Sequence, residues 1–187
     1  DKKGAILIFD EVQMGFGRSG KLFAFENYGI VPDILCLAKA MGSGMPLGGF
    51  ISSSDNMNKL THNPALGHIT TFGGHPVSCA AALAGLEIII DENLYGKANQ
   101  KGRLFVDLLS NQPLIKEIRQ IGLMIGVEIV PKYKVSELIS IFLKNGLIVD
   151  QFLFNDSCFR IAPPLTITDQ EIKLIVSKIV QSLKELC

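Results

Sequence analysis

Two regimes of apolar patterning divide the chain. In the first third, unbroken apolar runs alternate with glycine-rich connections: Ala5–Phe9 closes on Asp10-Glu11, Ile34–Ala38 closes on Lys39, and Gly48–Ser52 makes a third run. Continuous apolar runs mark strands covered on both faces, the pattern of a parallel sheet. A glycine-rich turn and Leu22–Tyr28, enough for about two helical turns, separate the first two runs, so the unit has the size of a crossover. From Pro76 the pattern changes. Val77–Ile90 is apolar almost all round and opens on a proline, favoured at the first helical position, which predicts a buried helix. A second helix is expected from Asn93 to Ser110, with Leu104, Phe105, Leu108 and Leu109 on one face.

Beyond it the pattern is that of an α+β domain. Ile118–Val130 reads as strand with a bend at Gly122, Val135–Leu143 as helix, and Leu147–Asp150 and Phe159–Ala162 as strands. Thr168 and Glu171 form a capping box ahead of Ile172, Ile175, Val176, Ile179, Val180, Leu183 and Leu186, which repeat at helical spacing. The shift near residue 90 predicts a portion of an α/β domain over residues 1–90 and a smaller α+β domain over residues 91–187.

Composition narrows the function. Apolar residues make up 48% and charged residues 19% of 187 residues, with a mean hydropathy of +0.32, which excludes intrinsic disorder. Eighteen basic residues balance eighteen acidic ones without a basic run, so no nucleic-acid partner is expected. The oiliest stretch, Cys79–Ile90, is too short for a bilayer and carries Glu87, so no membrane partner is expected. Cys36, Cys79, Cys158 and Cys187 are widely scattered and nothing reads as a targeting peptide, which fits a reducing cytoplasm. His62, His68 and His75 lack metal-ligand spacing, so no metal is expected.

Two constellations compete for the chemistry. Ile6–Glu11 resembles a Walker B strand, and Gly15–Lys21 supplies G-x-x-x-x-G-K. However, Leu22 replaces the magnesium-binding hydroxyl, the order of the two motifs is reversed, and no strand precedes the glycines. Asp10 and Lys39 make a better pair. Each ends an apolar strand, so a right-handed crossover brings both to the carboxyl edge of one sheet, where α/β proteins place ligands. A structural ion pair is the plain alternative. The glycines of residues 42–49 permit close approach of a flat group beside Lys39. An apolar setting favours the neutral amine that Schiff-base chemistry requires, and a carboxylate beside it suits a pyridinium nitrogen. The pair points to pyridoxal phosphate.

The residues around this pair carry a resemblance. Asp10-Glu11-Val12-Gln13, Gly15-Phe16-Gly17-Arg18-Ser19-Gly20, and Pro32-Asp33-Ile34 leading into Leu37-Ala38-Lys39 closely resemble the class III pyridoxal-phosphate aminotransferases, the acetylornithine, ornithine and 4-aminobutyrate group. Thr70–Pro76 resembles that family's phosphate-contacting turn, and Phe159–Leu165 its carboxylate-binding strand. The resemblance implies part of a fold-type I transferase, with a mostly parallel large-domain sheet and a small α+β domain.

It further implies that Lys39 is the Schiff-base lysine and general base and that Asp10 holds the pyridinium nitrogen. Val12 would pack on a ring face, Gln13 would lie near the phenolic oxygen, and Thr71 would contact the phosphate across a homodimer interface. Arg160 would bind a substrate carboxylate. For Val12 an ordinary core role stands beside the cofactor role, for Thr71 a polar turn, and for Arg160 a structural ion pair. Glu11 and Arg18 receive no role beyond holding the turn. Met14 replaces the family's usual threonine and Ala40 a common glycine; neither change removes a catalytic group.

The implied reaction moves an amino group from an amine or amino acid, with an omega-amino donor favoured, to a 2-oxo acid such as 2-oxoglutarate. Family members run to roughly twice this length. The resemblance therefore covers a C-terminal half, without the N-terminal half that supplies a phosphate-cradling loop and a stacking aromatic. A natural fragment, a product of proteolysis or cloning, and a polypeptide that assembles with its missing half all remain open. The alternative reading is an inactive fragment of such an enzyme.

Overall fold

The computed structural model describes residues 3–186. The chain divides into two compact units, Asp1–Leu94 and Tyr95–Cys187.

The first unit carries a three-stranded sheet of β1 (Ile8–Asp10), β2 (Ile34–Leu37) and β3 (Gly49–Ser52), in that spatial order. β1 and β2 are parallel, with Ile8 opposite Ile34 and Asp10 opposite Cys36, as the crossover predicts. β3 instead runs antiparallel to β2, Leu37 facing Gly49. The segment between these strands is too short for a crossover and folds into a 3-10 turn over Lys39–Gly42 that reverses the chain. Leu22–Tyr28 likewise tightens into a 3-10 turn, Ala24–Tyr28. α1 (Ser54–Asn58) is capped by the Ser53 side chain, and α2 (Pro76–Asp91) begins at the expected proline.

Two burial expectations are corrected. The Ala5–Phe9 run contributes only its end to β1, and Ile6, Leu7 and Ile8 are exposed because β1 lies at the sheet edge. α2 is not buried: Val77, Leu83, Ile88 and Ile90 are exposed. A helix apolar all round needs cover on every side. Of its apolar residues, Leu86 and Ile89 pack against the core of Phe16, Leu35 and Leu37.

The second unit contains all but the first residue of α3 (Leu94–Leu109), then β4 (Ile115–Ile121), β5 (Met124–Ile129), α4 (Val135–Lys144), β6 (Asp150–Phe152), β7 (Asn155–Ile161) and α5 (Asp169–Glu185). Its sheet has the order β4-β5-β7-β6, and every pairing is antiparallel. The expected single strand Ile118–Val130 is a hairpin that starts at Ile115, because Gly122 takes a left-handed turn at φ 55°. The expected strand Leu147–Asp150 is displaced to β6. Leu147 closes the end of α4, its amide reaching the Phe142 carbonyl at 2.8 Å, and pairing begins only at Asp150. β7 starts at Asn155 rather than Phe159 because a short hairpin joins it to β6.

This unit holds the larger core. Phe105 and Leu109 of α3, Ile125 and Val127 of β5, Leu138 and Phe142 of α4, Phe159 of β7 and Ile172 and Ile179 of α5 are all fully buried. The Phe142 and Phe159 rings meet edge to face at 5.1 Å. The expected capping box is present, with Glu171 accepting the Thr168 amide at 2.8 Å and Thr168 Oγ1 accepting the Glu171 amide at 3.2 Å.

Candidate active site

The parallel pairing of β1 and β2 builds the first part of the site. The ladder continues past β1, the Glu11 amide donating to the Cys36 carbonyl at 2.9 Å. Asp10 therefore sits beside Cys36 at the carboxyl end of the sheet, and Lys39 stands two residues beyond the end of β2 on the same edge. Asp10 is exposed, and its Oδ1 accepts the Val12 amide at 3.0 Å, which turns the carboxylate toward its own loop. Val12 is half-buried and Gln13 exposed in the turn that follows.

Lys39 has a left-handed backbone, φ 50°, which is uncommon for a side chain with a Cβ. Such strain gathers at functional positions, where the surrounding fold over-determines it. Here the restraints are visible: the Met41 amide reaches the Ala38 carbonyl at 3.1 Å and α2 packs on the turn. A side chain at Gly85 of α2 would collide with Ser43, so glycine admits this approach. The expected apolar enclosure of Lys39 is corrected, because the residue is exposed.

The Gly15–Gly20 turn is closed on itself and offers no phosphate cradle. The Gly17 amide donates to the Leu22 carbonyl and the Gly20 amide to the Gly17 carbonyl, both at 3.1 Å. Glu11, 1% exposed, fastens the start of the 3-10 turn Ala24–Tyr28. Its two oxygens accept the amides of Ala24 and Phe25, each at 2.8 Å.

Thr71 is exposed in the loop before α2, where a side chain at Gly73 would collide with Thr70 Oγ1. Arg160 belongs to the second unit, on β7. It forms an ion pair with Asp150 of β6 and lies 5.9 Å from the centre of the Phe152 ring. Sequence reasoning passed over both neighbours, although a D-x-F spacing in a strand puts an acid and an aromatic on one face.

The family model for class III aminotransferases matches residues 1–183. The chain belongs to the class III aminotransferases. An ornithine aminotransferase from Toxoplasma gondii, with partial occupancy of PLP at its active site, is 32% identical with a TM-score of 0.87, over 99% of this chain and 44% of that one. An (S)-enantioselective omega-transaminase from Thermomicrobium roseum is 34% identical with a TM-score of 0.87, over 99% and 44%. A thermostable omega-transaminase mutant from Pseudomonas jessenii is 31% identical with a TM-score of 0.89, over 100% and 45%. The chain thus spans less than half the length of these aminotransferase structures, and its architecture is part of a fold-type I transferase.

Pyridoxal phosphate is the cofactor of class III aminotransferases. The donor set of this chain fits it, with a carboxylate and a primary amine on one sheet edge. Among the described residues, no helix is long and apolar enough to cross a membrane, and no group of three His, Cys, Asp or Glu residues could hold a metal ion.

Proposed function

We propose that this chain carries the lysine-bearing part of an aminotransferase that moves an amino group from an omega-amino donor to a 2-oxo acid such as 2-oxoglutarate. The observation that carries the reading is the strained Lys39 backbone at the end of β2, beside the strand end that bears Asp10. The ornithine aminotransferase and omega-transaminase relatives support an omega-amino donor.

Pyridoxal phosphate, when bound, supplies an aldehyde that joins to amines and a ring that accepts electrons. In the proposal Lys39 anchors it. Once displaced by the donor, its amine would move a proton between the amine-bearing carbon and the cofactor carbon that carried the aldehyde, in one direction with the donor and in the other with the 2-oxo acid. Asp10 keeps the ring nitrogen protonated, Val12 packs against a ring face, Gln13 stands near the phenolic oxygen, and Thr71 holds the phosphate from across a homodimer interface. Arg160 takes the carboxylate of the 2-oxo acid through its planar fork. The exposed apolar surfaces of β1 and α2 support a turnover-competent form that contains more of the family fold than this chain.

Borohydride reduction of the chain with pyridoxal phosphate, followed by intact mass and peptide mapping, tests the proposal. The expected result is one adduct, on Lys39. A chain that stays unmodified, alone and with the remaining family segment supplied, supports the alternative of an inactive fragment.

A further inference from the structure

Lys39 shares its strained geometry with a second residue. It opens the 3-10 turn Lys39–Gly42, and Ser43, which closes that turn, is also left-handed, at φ 48°. Neither is a glycine, so both ends of the turn are held in a conformation that a side chain disfavours. Within the turn the Met41 amide donates to the Ala38 carbonyl and the Ser43 amide to the Ala40 carbonyl, both at 3.1 Å. Hydrogen-bond geometry is poor in 3-10 turns, so these bonds alone are a weak restraint.

The stronger restraint is α2. Leu86 and Ile89 of this helix pack on the same core as Met41 of the turn. Beside them, Gly85 lies against Ser43. A Cβ at Gly85 would overlap Ser43 Oγ and stand 2.7 Å from Ser43 Cβ, but 4.0 Å from Ser43 Cα. The Ser43 side chain therefore fills the space that the missing methyl leaves. Alanine is the better helix former, and Ala80, Ala81, Ala82 and Ala84 surround the position. Gly85 thus gives up helix stability in return for this contact.

We propose that Ser43 and Gly85 are a matched pair that clamps the Lys39 turn onto α2 and keeps the Lys39 backbone left-handed, so that its amine starts from one fixed place on the sheet edge. Both are positioning residues that act through Lys39, and the proposal rests on the reading of Lys39 as the Schiff-base residue. An amine on a fixed backbone meets an aldehyde in one geometry. When the turn relaxes, the side chain leaves in a different direction, and misplacement by about 1 Å costs up to about a hundredfold in rate.

The test uses the full chain as wild type, as Gly85→Ala, and as Gly85→Ala combined with Ser43→Ala or with Ser43→Gly. Two quantities are read: hydrogen exchange of the Met41 amide without cofactor, and the rate at which the borohydride-trapped adduct forms with pyridoxal phosphate. Gly85→Ala is expected to speed the exchange and slow the adduct, each about tenfold. Ser43→Ala leaves the two Cβ atoms in conflict and should repair neither, whereas Ser43→Gly removes the conflict, suits φ 48°, and should restore both. Exchange across the β2–β3 ladder reports whether the unit stays folded. Wild-type values in Gly85→Ala, a loss that Ser43→Gly fails to repair in the turn or the ladder, or full repair by Ser43→Ala overturns the proposal. A missing adduct in every chain, wild type included, removes Lys39 from its assigned role, and Met41 exchange then decides by itself whether the pair clamps the turn.

Discussion

The carboxylate of Glu11 sits under the amide of Ala24, accepting its hydrogen at 2.8 Å in a pocket that leaves Glu11 1% exposed. This contact ties the end of β1 to the start of the 3-10 turn Ala24–Tyr28, thirteen residues on. Removing the carboxylate strands one buried and one part-buried amide, and each such loss costs about 1–3 kcal/mol. Glu11→Ala is therefore expected to abolish hydrogen-exchange protection of the Ala24 and Phe25 amides, while protection in β5 and β7 persists. Unchanged exchange at Ala24 would sink this account.

The two lysines of the first unit should separate cleanly. Lys21 follows a turn whose Gly17 and Gly20 amides are already bonded to backbone carbonyls, whereas Lys39 stands on the strained turn at the sheet edge. Lys39→Ala is expected to eliminate the borohydride-trapped adduct and Lys21→Ala to retain it. Mapping the adduct to Lys21 would reverse the assignment.

Stability should reside in the second unit. Phe159 is fully buried and meets Phe142 edge to face at 5.1 Å. Truncation of a buried Phe to Ala costs about 3–5 kcal/mol through lost burial and the cavity left behind. Phe159→Ala is expected to lower the urea midpoint of the second unit sharply, whereas Phe72→Ala, at an exposed loop position, should leave it unmoved.

Residues 95–187 should also fold by themselves, because their helices and four-stranded sheet enclose one continuous core. Residues 1–94 alone should not, since Ile6, Ile8, Val31, Phe72 and Leu83 are exposed around a small core. Cooperative urea unfolding of the first piece and aggregation of the second are the expected outcomes. Cooperative unfolding of residues 1–94 would count against this view.

Acid should weaken the second unit through Glu128. The hydrogen bond from Lys116 at 2.6 Å, and then that from Arg119 at 3.1 Å, hold the Glu128 carboxyl below its usual range. The Thr168 amide and hydroxyl hold Glu171 down in the same way. For a lowered carboxylate pKa, the stabilisation is complete above the unfolded-state value and is lost as pH falls through the folded-state value. The melting temperature is expected to fall between about pH 5 and pH 2, and Glu128→Gln should flatten that fall. Equal pH dependence in the variant would remove Glu128 from the explanation.

Local signals in the chain carried much of this. Thr168 and Glu171 announce the cap of α5 because a capping box is complete within four residues. Asp10 and Lys39 were legible as a pair because an unbroken apolar run precedes each, and the parallel register brings both runs to one edge. The burial of α2 was misread. Its composition reports the surroundings the helix suits, whereas the cover it receives depends on what packs around it.

The sequence by itself determined the family, the element types, and the pairing of an acid with an amine at adjacent strand ends, since these rest on residue identity and short-range periodicity. Tertiary structure alone decided that β3 turns back antiparallel, that Glu11 pins the turn at Ala24, and that Asp150 and Phe152 flank Arg160. Each of these depends on how neighbouring segments turn and pair in space, which residue identity and short-range periodicity do not fix.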